Sequence, residues 1–508
     1  MKEKASELLD VLRGIRQRLG KVPQELIPQV ARQLGIPEAQ VHSSATFYPE
    51  LSDKGPSRDA FERGLEQRFR VLSPADPVVW NGAPDFPGQT RRVLARCGVL
   101  DPMDFNAFRA AGAYEGLRIA RKKKPEEVIA QLEASGLRGR GGAGFSTARK
   151  WQTARTTPAD QRFVICNAAE GDLGAWMDRA LLEGDPHLVF EGLAIAAYAI
   201  GSSKAFLYLR SEYSHLIPRL ETVLKLVHGS GVLGGLRIEI FLAAGAYVCG
   251  EETALLNSME GSAGHPRMRP PFPAQAGLWG MPTVVNNVKT LAHVPLVLRN
   301  GSEWFSSIGT RSSKGTAILC LGGDVVQPGV IEVPMGTPLI DVITNFGKGV
   351  RGGKGIKAVQ TGGPLGALIP GDRLDVPVSF EGFATAGSPL GSGGLIVISE
   401  ERCMVAVARE FGSFAREESC GNCAPCRLGT ARVEEVLCAI SRGKAVSEDL
   451  EILDSLGEML KSASFCAFGQ SAPSVALAAL RYFRAEFESH IHAKTCASGV
   501  CSFEGEEK

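Results

Sequence analysis

The chain has 508 residues, which is enough for about three domains on the usual length prior. Its hydrophobic content of 44% and formal net charge of +1 favour a globular protein with buried cores over a nucleic-acid or membrane-surface protein. Twelve scattered cysteines do not resemble a disulfide framework and the first ten residues lack the apolar stretch of a signal peptide, so we expect a cytoplasmic chain with reduced thiols.

The first 70 residues show the spacing of short amphipathic helices. Apolar side chains recur at helical intervals from Leu8 to Leu19, and further helices begin at Pro23 and Pro37. This segment is predicted to be a small helical bundle without chemistry of its own. Residues 71–115 begin with a run rich in proline and aspartate and are predicted to be a linker and lead-in.

Between residues 116 and 310, predicted strands alternate with predicted helices. The predicted strands are Arg162–Asn167, Lys204–Arg210 and Arg237–Ala243. This alternation predicts a doubly wound parallel sheet, in which ligands bind at the carboxyl ends of the strands. Two polar clusters follow strands there, Asn167–Asp172 and Gly250–Thr253. The most apolar stretch, Leu188–Ile200, is too short to cross a bilayer.

A glycine-rich loop, Gly136–Phe145, precedes the first of these strands. Gly139, Gly141 and Gly144 satisfy the pattern G-x-G-x-x-G, but the dinucleotide fingerprint requires a strand before it and a helix after it. A helix is predicted before this loop, so we reject the ordinary dinucleotide interpretation. The bare amides and nearby arginines can still hold a phosphate or lie against a flat ring, and a plain flexible turn is the alternative.

The last third of the chain carries the strongest chemical signal. Residues 311–400 are predicted to be a small mixed β domain, with a β-grasp as the candidate fold, and residues 401–490 return to helical periodicity. Within the helical part, four cysteines follow the pattern C-x2-C-x2-C-x39-C: Cys420, Cys423, Cys426 and Cys466. Three thiolates on one loop and a distant fourth favour an iron–sulfur cubane over zinc, which usually draws paired cysteines from two knuckles.

The tail, residues 491–508, contains two more cysteines. Cys496 and Cys501 cannot hold a cluster by themselves, so this segment is predicted to be an exposed, disordered tail.

Several segments taken together resemble one family. They are Arg138–Phe145, Cys166-Asn167 with Glu170, Gly245–Glu252, Arg269–Pro273, Val285–Val288 and Glu418–Cys426. The combination resembles the flavin-bearing NADH dehydrogenase subunit of respiratory complex I and its relatives. Those relatives are the diaphorase subunits of NAD-dependent formate dehydrogenases and of NAD-reducing or bifurcating hydrogenases. The resemblance covers roughly residues 93–490. Two segments, 170–174 and 362–366, look closer to formate dehydrogenase β subunits.

The resemblance implies a multidomain α/β fold and three bound groups: FMN, a [4Fe-4S] cluster and NAD(H). The fold would comprise the N-terminal helical bundle, a Rossmann-like FMN domain, a β-grasp-like (SLBB-like) domain and a helical cluster domain. The residues expected around FMN are Gly139, Arg140, Gly141, Lys150, Asn167, Glu170, Gly250, Glu251, Glu252, Asn286 and Asn287. Those expected around NAD are Phe145, Asp172, Arg269 and Phe272. The cluster ligands would be the four cysteines of the C-x2-C-x2-C-x39-C pattern.

The implied activity is that of a diaphorase module, which exchanges hydride between NAD(H) and FMN and passes single electrons through the [4Fe-4S] cluster. The expected partners are a [2Fe-2S] thioredoxin-like subunit and a large cluster-bearing catalytic subunit, in an NAD-dependent formate dehydrogenase. A module of a hydrogenase or of complex I is the alternative, and through such partners the chain would reach the inner face of the membrane. Ala169 stands where the family usually has an acid, so a non-catalytic scaffold with a decayed flavin site is a third interpretation.

Residues 1–70 resemble the helical half of the partner subunit that normally carries the [2Fe-2S] cluster. Between residues 49 and 165 there is one cysteine, Cys97, where four ligands would be needed. We therefore expect no [2Fe-2S] cluster in this chain.

Overall fold

The computed structural model describes residues 5–52, 64–69 and 88–503. Residues 71–87, the first part of the predicted linker and lead-in, lie outside the described residues. Among the described residues, no helix is long and apolar enough to span a membrane.

The N-terminal helices are α1 (Leu8–Leu19), α2 (Ile27–Leu34) and α3 (Glu38–Phe47). Their buried leucines and valines share one hydrophobic core with one face of the central parallel sheet. Polar contacts fix the same arrangement: the hydroxyl of Tyr48 donates to the carbonyl of Ser262 at 2.5 Å, and Ser44 Oγ donates to the carbonyl of Gly261 at 3.0 Å. The predicted helical bundle is therefore confirmed, and it covers the sheet instead of standing apart from it.

The central sheet contains four parallel strands in the order β3-β2-β1-β4. They are β1 (Phe163–Ala168), β2 (Lys204–Leu209), β3 (Arg237–Leu242) and β4 (Thr283–Asn287). Sequence analysis predicts the first three and misses β4. In the register of β1 and β4, Cys166 lies opposite Asn286 and Asn167 lies opposite Asn287. The two polar strand ends therefore meet at one edge of the sheet.

Helices cover both faces of this sheet, as the doubly wound pattern predicts. They are α4 (Phe105–Ala110), α5 (Glu115–Ala120), α6 (Pro125–Ser135), α7 (Thr147–Thr156), α8 (Met177–Gly184), α9 (Pro186–Ile200), α10 (Ile217–Gly229), α11 (Glu252–Met259), α12 (Val288–Asn300) and α13 (Ser302–Ser306). Residues 177–200 form two helices, because Asp185 leaves helical geometry and caps α9 by accepting from Leu188 N at 2.9 Å.

Residues 88–115 pack into the core of the parallel-sheet domain. Val93, Leu94 and Cys97 are fully buried there. The buried carboxylate of Glu332 accepts the backbone amides of Arg92, Val93 and Leu94 at 2.7–3.1 Å. Burial raises the pKa of Glu332. This segment therefore ties the sheet domain to the domain that follows it.

That next domain is a five-stranded mixed sheet in the order β6-β5-β9-β7-β8, as expected for a small mixed β domain. Its strands are β5 (Thr316–Gly323), β6 (Gly329–Pro334), β7 (Ile356–Thr361), β8 (Ala367–Pro370) and β9 (Gly394–Ser399). Strands β5 and β9 run parallel and the other pairs are antiparallel. Two short helices belong to it, α14 (Leu339–Asp341) and α15 (Phe380–Thr385).

The C-terminal domain is helical, as predicted. Its helices are α16 (Met404–Glu417), α17 (Ala424–Ser441), α18 (Glu448–Ala463), α19 (Ala467–Ser471), α20 (Ser474–Tyr482) and α21 (Arg484–Glu488). A π-helical turn, Ser489–Ala493, follows α21.

The expectation of an exposed, disordered tail is wrong for residues 491–503. Cys501 is only 8% exposed and belongs to the hydrophobic core of the helical domain, with Cys496 and Phe503 packed against the same core. The tail is buried by tertiary contacts. It packs against helices that are distant in the chain, and the sequence of the tail alone does not show these contacts.

Candidate functional site

The carboxyl ends of β1 and β4 place three asparagines side by side. Asn286 Oδ1 accepts from Trp151 Nε1 at 2.8 Å, and Asn167 Nδ2 donates to the carbonyl of Gly250 at 2.9 Å. Asn287 caps α12 by accepting from Lys289 N at 2.9 Å. These bonds fix the amide side chains at the edge where ligands of parallel sheets bind.

The glycine-rich loop lies against this edge. Helices α6 and α7 flank it, which confirms that it is not the strand-to-helix turn of an ordinary dinucleotide site. Gly139 N donates to the carbonyl of Phe145 at 2.8 Å and closes the loop. A Cβ on Gly141 would lie 2.8 Å from the Cβ of Asn287, so glycine is required for the loop to reach the end of β4.

Arg140 is the charged group of the loop and is buried in the protein. Its amide donates to Thr290 Oγ1 at 2.8 Å, and its Nη2 donates to the carbonyl of Lys314 at 2.5 Å. Its Nε and Nη1 find no hydrogen-bond partner among the described residues. Burial lowers the pKa of Arg140 to about 9. A buried guanidinium with free donors fits an anionic ligand such as a phosphate.

A second buried cation lies nearby. Lys289 Nζ is 3.2 Å from Asp178 Oδ1, and Asn287 Nδ2 donates to the other oxygen of Asp178 at 2.5 Å. Burial raises the pKa of Asp178 to about 7, against the opposing effect of Lys289. Arg140 and Lys289 line the same small cavity. The positive charge beneath the loop is therefore only partly balanced by the protein.

The acidic pair at the start of α11 faces the same edge. Glu251 Oε2 accepts from the amides of Thr253 and Ala254 at 3.0 Å each, while its Oε1 is buried without a hydrogen-bond partner among the described residues. Glu252 accepts from Lys150 Nζ at 2.7 Å. Lys150 also donates to the carbonyl of Val285 at 3.0 Å. The predicted residues Lys150, Glu251 and Glu252 therefore lie together with the asparagines.

Two of the carboxylates that were predicted to contact ligands accept hydrogen bonds from other residues of the protein. Glu170 accepts from the amides of Asp178 and Arg179 at 2.9 and 3.1 Å and from the hydroxyl of Tyr213 at 3.0 Å. Asp172 accepts from the hydroxyl of Tyr247 and from Ser392 Oγ, both at 2.6 Å. A ligand contact by either carboxylate stays a prediction. What the structure shows is that Asp172 joins the FMN domain to the β domain.

The predicted NAD residues lie at the surface. Phe145 is 56% exposed and Phe272 is 51% exposed, in a protein whose phenylalanines are mostly buried. The guanidinium of Arg269 lies 3.8 Å from Glu251 and 3.9 Å from Glu252, which places it at the acidic pair. Exposed aromatic faces are suited to stacking on a flat ligand.

Three of the four predicted cysteine ligands, Cys423, Cys426 and Cys466, share one small core, and Cys420 precedes Cys423 on the same loop. Cys423 and Cys466 stand at the N-caps of α17 and α19, while Cys426 and Cys466 share a small core with Phe468. Burial raises the pKa values of Cys420, Cys426 and Cys466, that of Cys426 to about 11. A Cβ on Gly469 would lie 2.9 Å from the Cβ of Cys426, so glycine lets α19 approach the loop. The donor set, three thiols on one loop and a fourth at the start of α19, fits a [4Fe-4S] cluster.

Tyr247 connects the two sites and had no role in the sequence prediction. Its ring lies 5.8 Å from that of Phe468, its amide donates to Glu418 Oε2 at 3.2 Å, and its hydroxyl donates to Asp172. Thr290, Asp178 and Lys289 were missed as well. Tyr247 lies inside the motif Gly245–Glu252, which was the available signal. The other three are recognisable only through their partners in the folded chain.

Three family models match the chain. The Nuo51 FMN-binding domain matches residues 132–296, and the NADH-ubiquinone oxidoreductase-F iron-sulfur binding region matches residues 406–490. A thioredoxin-like [2Fe-2S] ferredoxin model matches residues 1–60, which contain no cysteine. The absence of a [2Fe-2S] cluster from this chain stays a prediction.

Full-length relatives extend these matches. The F 2 subunit of the NADH-quinone oxidoreductase of Rhizobium meliloti is 42% identical over 413 residues, which cover 80% of this chain and 98% of the relative. This chain belongs to the NADH-quinone oxidoreductase F-subunit family. The NADP-reducing hydrogenase subunit HndC of Solidesulfovibrio fructosivorans is 46% identical over 422 residues, 82% of this chain and 86% of the relative. Within the F-subunit family, the chain is a flavin and iron–sulfur oxidoreductase of NADH dehydrogenase type, with FMN and a [4Fe-4S] cluster as its cofactors and NAD(H) as its substrate.

A solved structure shows the same fold. A chain in the crystal structure of an NAD+-reducing [NiFe]-hydrogenase in the H2-reduced state superimposes with a TM-score of 0.78 at 32% identity. The match covers 97% of this chain and 93% of that chain. The combination of N-terminal helices with an F-subunit core therefore also occurs in a hydrogenase.

Proposed function

We propose that this chain is the diaphorase module of a larger oxidoreductase: it exchanges electrons between NAD(H) and a one-electron pathway that leaves through the cysteine site. FMN, when bound, supplies the exchange between two-electron hydride transfer and single electrons. The observation that carries the proposal is the position of Tyr247 between the two predicted sites. Its hydroxyl donates to Asp172, a predicted NAD residue, while its amide donates to Glu418 and its ring lies 5.8 Å from Phe468 in the cysteine core.

Each group at the sheet edge then has a positioning role. The free Nε and Nη1 of Arg140 bind the phosphate, since they are buried donors without a hydrogen-bond partner among the described residues. The other predicted FMN residues that face the edge surround the remainder of the flavin: Gly139, Gly141, Lys150, Asn167, Gly250, Glu251, Glu252, Asn286 and Asn287. Phe145, Phe272 and Arg269 hold the nicotinamide dinucleotide at the open side. Hydride transfer needs alignment of the two partners and no protein acid or base.

The parent complex is proposed to be an NAD-dependent formate dehydrogenase, in which the chain contacts a [2Fe-2S] thioredoxin-like subunit and a large cluster-bearing subunit in the cytoplasm. The support is the pair of segments 170–174 and 362–366. They are in contact in the fold, because a Cβ on Gly363 would collide with the carboxylate of Asp172. An NAD-reducing hydrogenase is the second candidate, favoured by the likeness to the hydrogenase subunit HndC and by the 97% coverage of this chain in the match to the hydrogenase structure.

Two experiments test this proposal. The isolated chain, reconstituted anaerobically with FMN, iron and sulfide, is expected to show flavin absorbance and NADH-dependent reduction of an artificial acceptor. Absence of both would favour a non-catalytic scaffold. Purification of the native complex, identification of its largest subunit, and assays of formate- and hydrogen-dependent NAD+ reduction distinguish the two parent enzymes.

A matched pair of variants tests the phosphate role of Arg140. Arg140→Met removes the free buried donors and is expected to lower FMN retention at least about tenfold, the loss of one charge-assisted contact. Arg149→Met changes an arginine nearby in the chain whose side chain is 74% exposed, and FMN retention is expected to stay unchanged. Equal retention in both variants would contradict the role given to Arg140.

A further inference from the structure

A second group of metal-binding side chains lies in the helical domain, apart from the four cluster cysteines. It consists of Cys403, His490, Cys496 and Cys501, whose ligand atoms all lie within 4.8 Å of one another. Three of the four residues are buried and Cys496 is half-buried. Across the described ranges, no other set of three or more such side chains comes this close.

The distances within the group match a tetrahedral metal site. Cys403 Sγ lies 3.5 Å from His490 Nε2 and 3.8 Å from Cys501 Sγ. With bonds of about 2.3 Å to sulfur and about 2.0–2.1 Å to nitrogen, tetrahedral zinc places its ligands about 3.8 Å (S–S) and about 3.6 Å (S–N) apart. A disulfide requires about 2.05 Å between the sulfurs, so Cys403 and Cys501 are not bonded to each other.

The histidine is oriented as a metal ligand. Its Nδ1 lies 2.7 Å from the backbone carbonyl of Glu486 and donates its proton there, which leaves the Nε2 lone pair directed at the sulfurs. The carboxylate of Glu486 also accepts from Met404 N at 2.9 Å. One residue therefore holds both the imidazole and the backbone next to Cys403.

Cys403 is also supported by a backbone amide. Ala406 N donates to Cys403 Sγ at 3.5 Å, at the start of α16. Cys496 lies in a turn that Gly499 closes by donating to the carbonyl of Cys496 at 2.9 Å. Gly499 has a φ of +64°, a conformation that favours glycine. Amide donors of this kind stabilise thiolates.

We propose that Cys403, His490, Cys496 and Cys501 bind one structural zinc ion. A set of three cysteines and one histidine fills all four positions of tetrahedral zinc and leaves none open for a substrate. Cys403, Cys496 and Cys501 lie outside the residues that match the iron–sulfur family model, 406–490. The proposal rests on this geometry and is independent of the proposed diaphorase activity.

The position of the site indicates what the zinc does. Cys403 caps the N-terminus of α16, whose 14 residues span about 21 Å and end just before the cluster loop. His490, Cys496 and Cys501 belong to the last turn and the tail. The zinc therefore fastens residues 490–501 to the end of α16 that lies away from the cluster, and it stabilises the helical domain without conducting electrons.

The first test measures metals in the full chain purified anaerobically with its cofactors. We expect about one zinc in addition to about four iron atoms per chain. The zinc X-ray absorption spectrum should show three sulfur neighbours at about 2.3 Å and one nitrogen at about 2.0–2.1 Å. Zinc at background level, iron in this site, or a Cys403–Cys501 disulfide found by mass spectrometry would each overturn the proposal. This test needs no variant, so misfolding cannot obscure it.

The second test uses a matched pair of cysteine variants. Cys501→Ser is expected to lose the zinc and retain the four iron atoms, whereas Cys438→Ser, a half-buried cysteine of α17 outside both groups, is expected to retain both metals. Zinc retained at full stoichiometry in Cys501→Ser would overturn the assignment. Because the NADH activity of the isolated chain is measured separately, a failure here leaves the proposed function standing, and the reverse also holds.

Discussion

The two cysteine groups of this protein lie at opposite ends of one helix and are assembled in different ways. The cluster group, at the C-terminal end of α16, has three of its four proposed ligands within seven consecutive residues, Cys420–Cys426. The tail group, at the N-terminal end, takes its ligands from the start of α16, the turn after α21 and the tail. A short loop encodes the first geometry locally, whereas only the folded domain creates the second. The cluster group is therefore visible in the sequence and the tail group is not.

Removal of a cluster ligand should produce the largest effect and should leave the tail group intact. Cys466→Ser takes away the one cluster ligand that lies outside the loop. We expect iron to fall from about four atoms per chain toward zero and electron transfer to the partner subunits to fall to background. NADH-dependent reduction of an artificial acceptor at the flavin should remain. Iron and zinc analysis together with both activity assays provides the measurement.

The outcome for zinc decides whether the two groups are independent. One zinc per chain retained in Cys466→Ser supports two separate sites at the two ends of α16. Loss of both metals in this variant would show that the helical domain folds around the two sites as a single unit.

The reciprocal change should affect stability and not electron transfer. Cys403→Ser removes the tail ligand at the start of α16. We expect loss of zinc and a fall in the unfolding free energy of the helical domain by at least about 2 kcal/mol, because structural zinc contributes directly to folding. For a domain of about 100 residues that corresponds to a decrease in Tm of about 10 °C. Residues 490–503 should also become sensitive to limited proteolysis, which mass spectrometry would locate.

Cys438→Ser is the control for the stability change. It alters a cysteine of the same domain that belongs to neither group, and the zinc content and the tail should be unaffected. Equal protection of the tail in Cys403→Ser and in the control would mean that packing alone, and not a metal, holds residues 490–503.

The same distinction between local patterns and tertiary contacts explains which features the sequence predicts and which it does not. Three strands of the parallel sheet and the cysteine loop have local patterns and were predicted. Strand β4 is only five residues long and ends in two asparagines, so its pattern is too short to stand out. The hydrogen bond between Glu170 and Tyr213 and the burial of Cys501 against Cys403 depend on partners that are distant in the chain. The resemblance to a known family, and not periodicity, supplied the residues around the flavin.

A change in the flavin loop should leave both cysteine groups untouched. Gly141→Ala would place a Cβ 2.8 Å from the Cβ of Asn287, at the point where the loop meets β4. Overpacking of this kind costs about 1–3 kcal/mol, and we expect FMN retention to weaken about tenfold as the loop moves away. Iron and zinc should stay at wild-type levels. Fluorescence of released FMN measures the effect.

Gly229→Ala is the matched control for the loop variant. It adds the same methyl group at the end of α10, in the same domain, where a Cβ would meet no atom within 4 Å. The control should retain FMN as the wild type does. Unchanged FMN retention in Gly141→Ala as well would show that the contact between the loop and Asn287 does not limit flavin binding.

Substitution of Glu486, which supports the tail group in two ways, should have the smallest effect on stability. Its backbone carbonyl orients His490, while its carboxylate lies 2.6 Å from Lys357 Nζ and accepts from Met404 N. Glu486→Gln retains the carbonyl and an oxygen acceptor but removes the charge. We expect a loss of about 0.5–1 kcal/mol, as for a partly exposed ion pair, with the zinc stoichiometry unchanged. Thermal unfolding and zinc analysis provide the two measurements.

Glu488→Gln controls for the loss of a negative charge from the same helix. Glu488 pairs with Arg484 at 2.9 Å on the exposed surface, and its removal should change stability less than that of Glu486. If Glu486→Gln instead released the zinc, the carboxylate would be holding the site through Met404 N, and the backbone carbonyl alone would not suffice to orient His490. If the zinc is retained, the backbone carbonyl of Glu486 is sufficient to orient His490. A side-chain substitution does not remove this carbonyl, and a sequence motif does not reveal it.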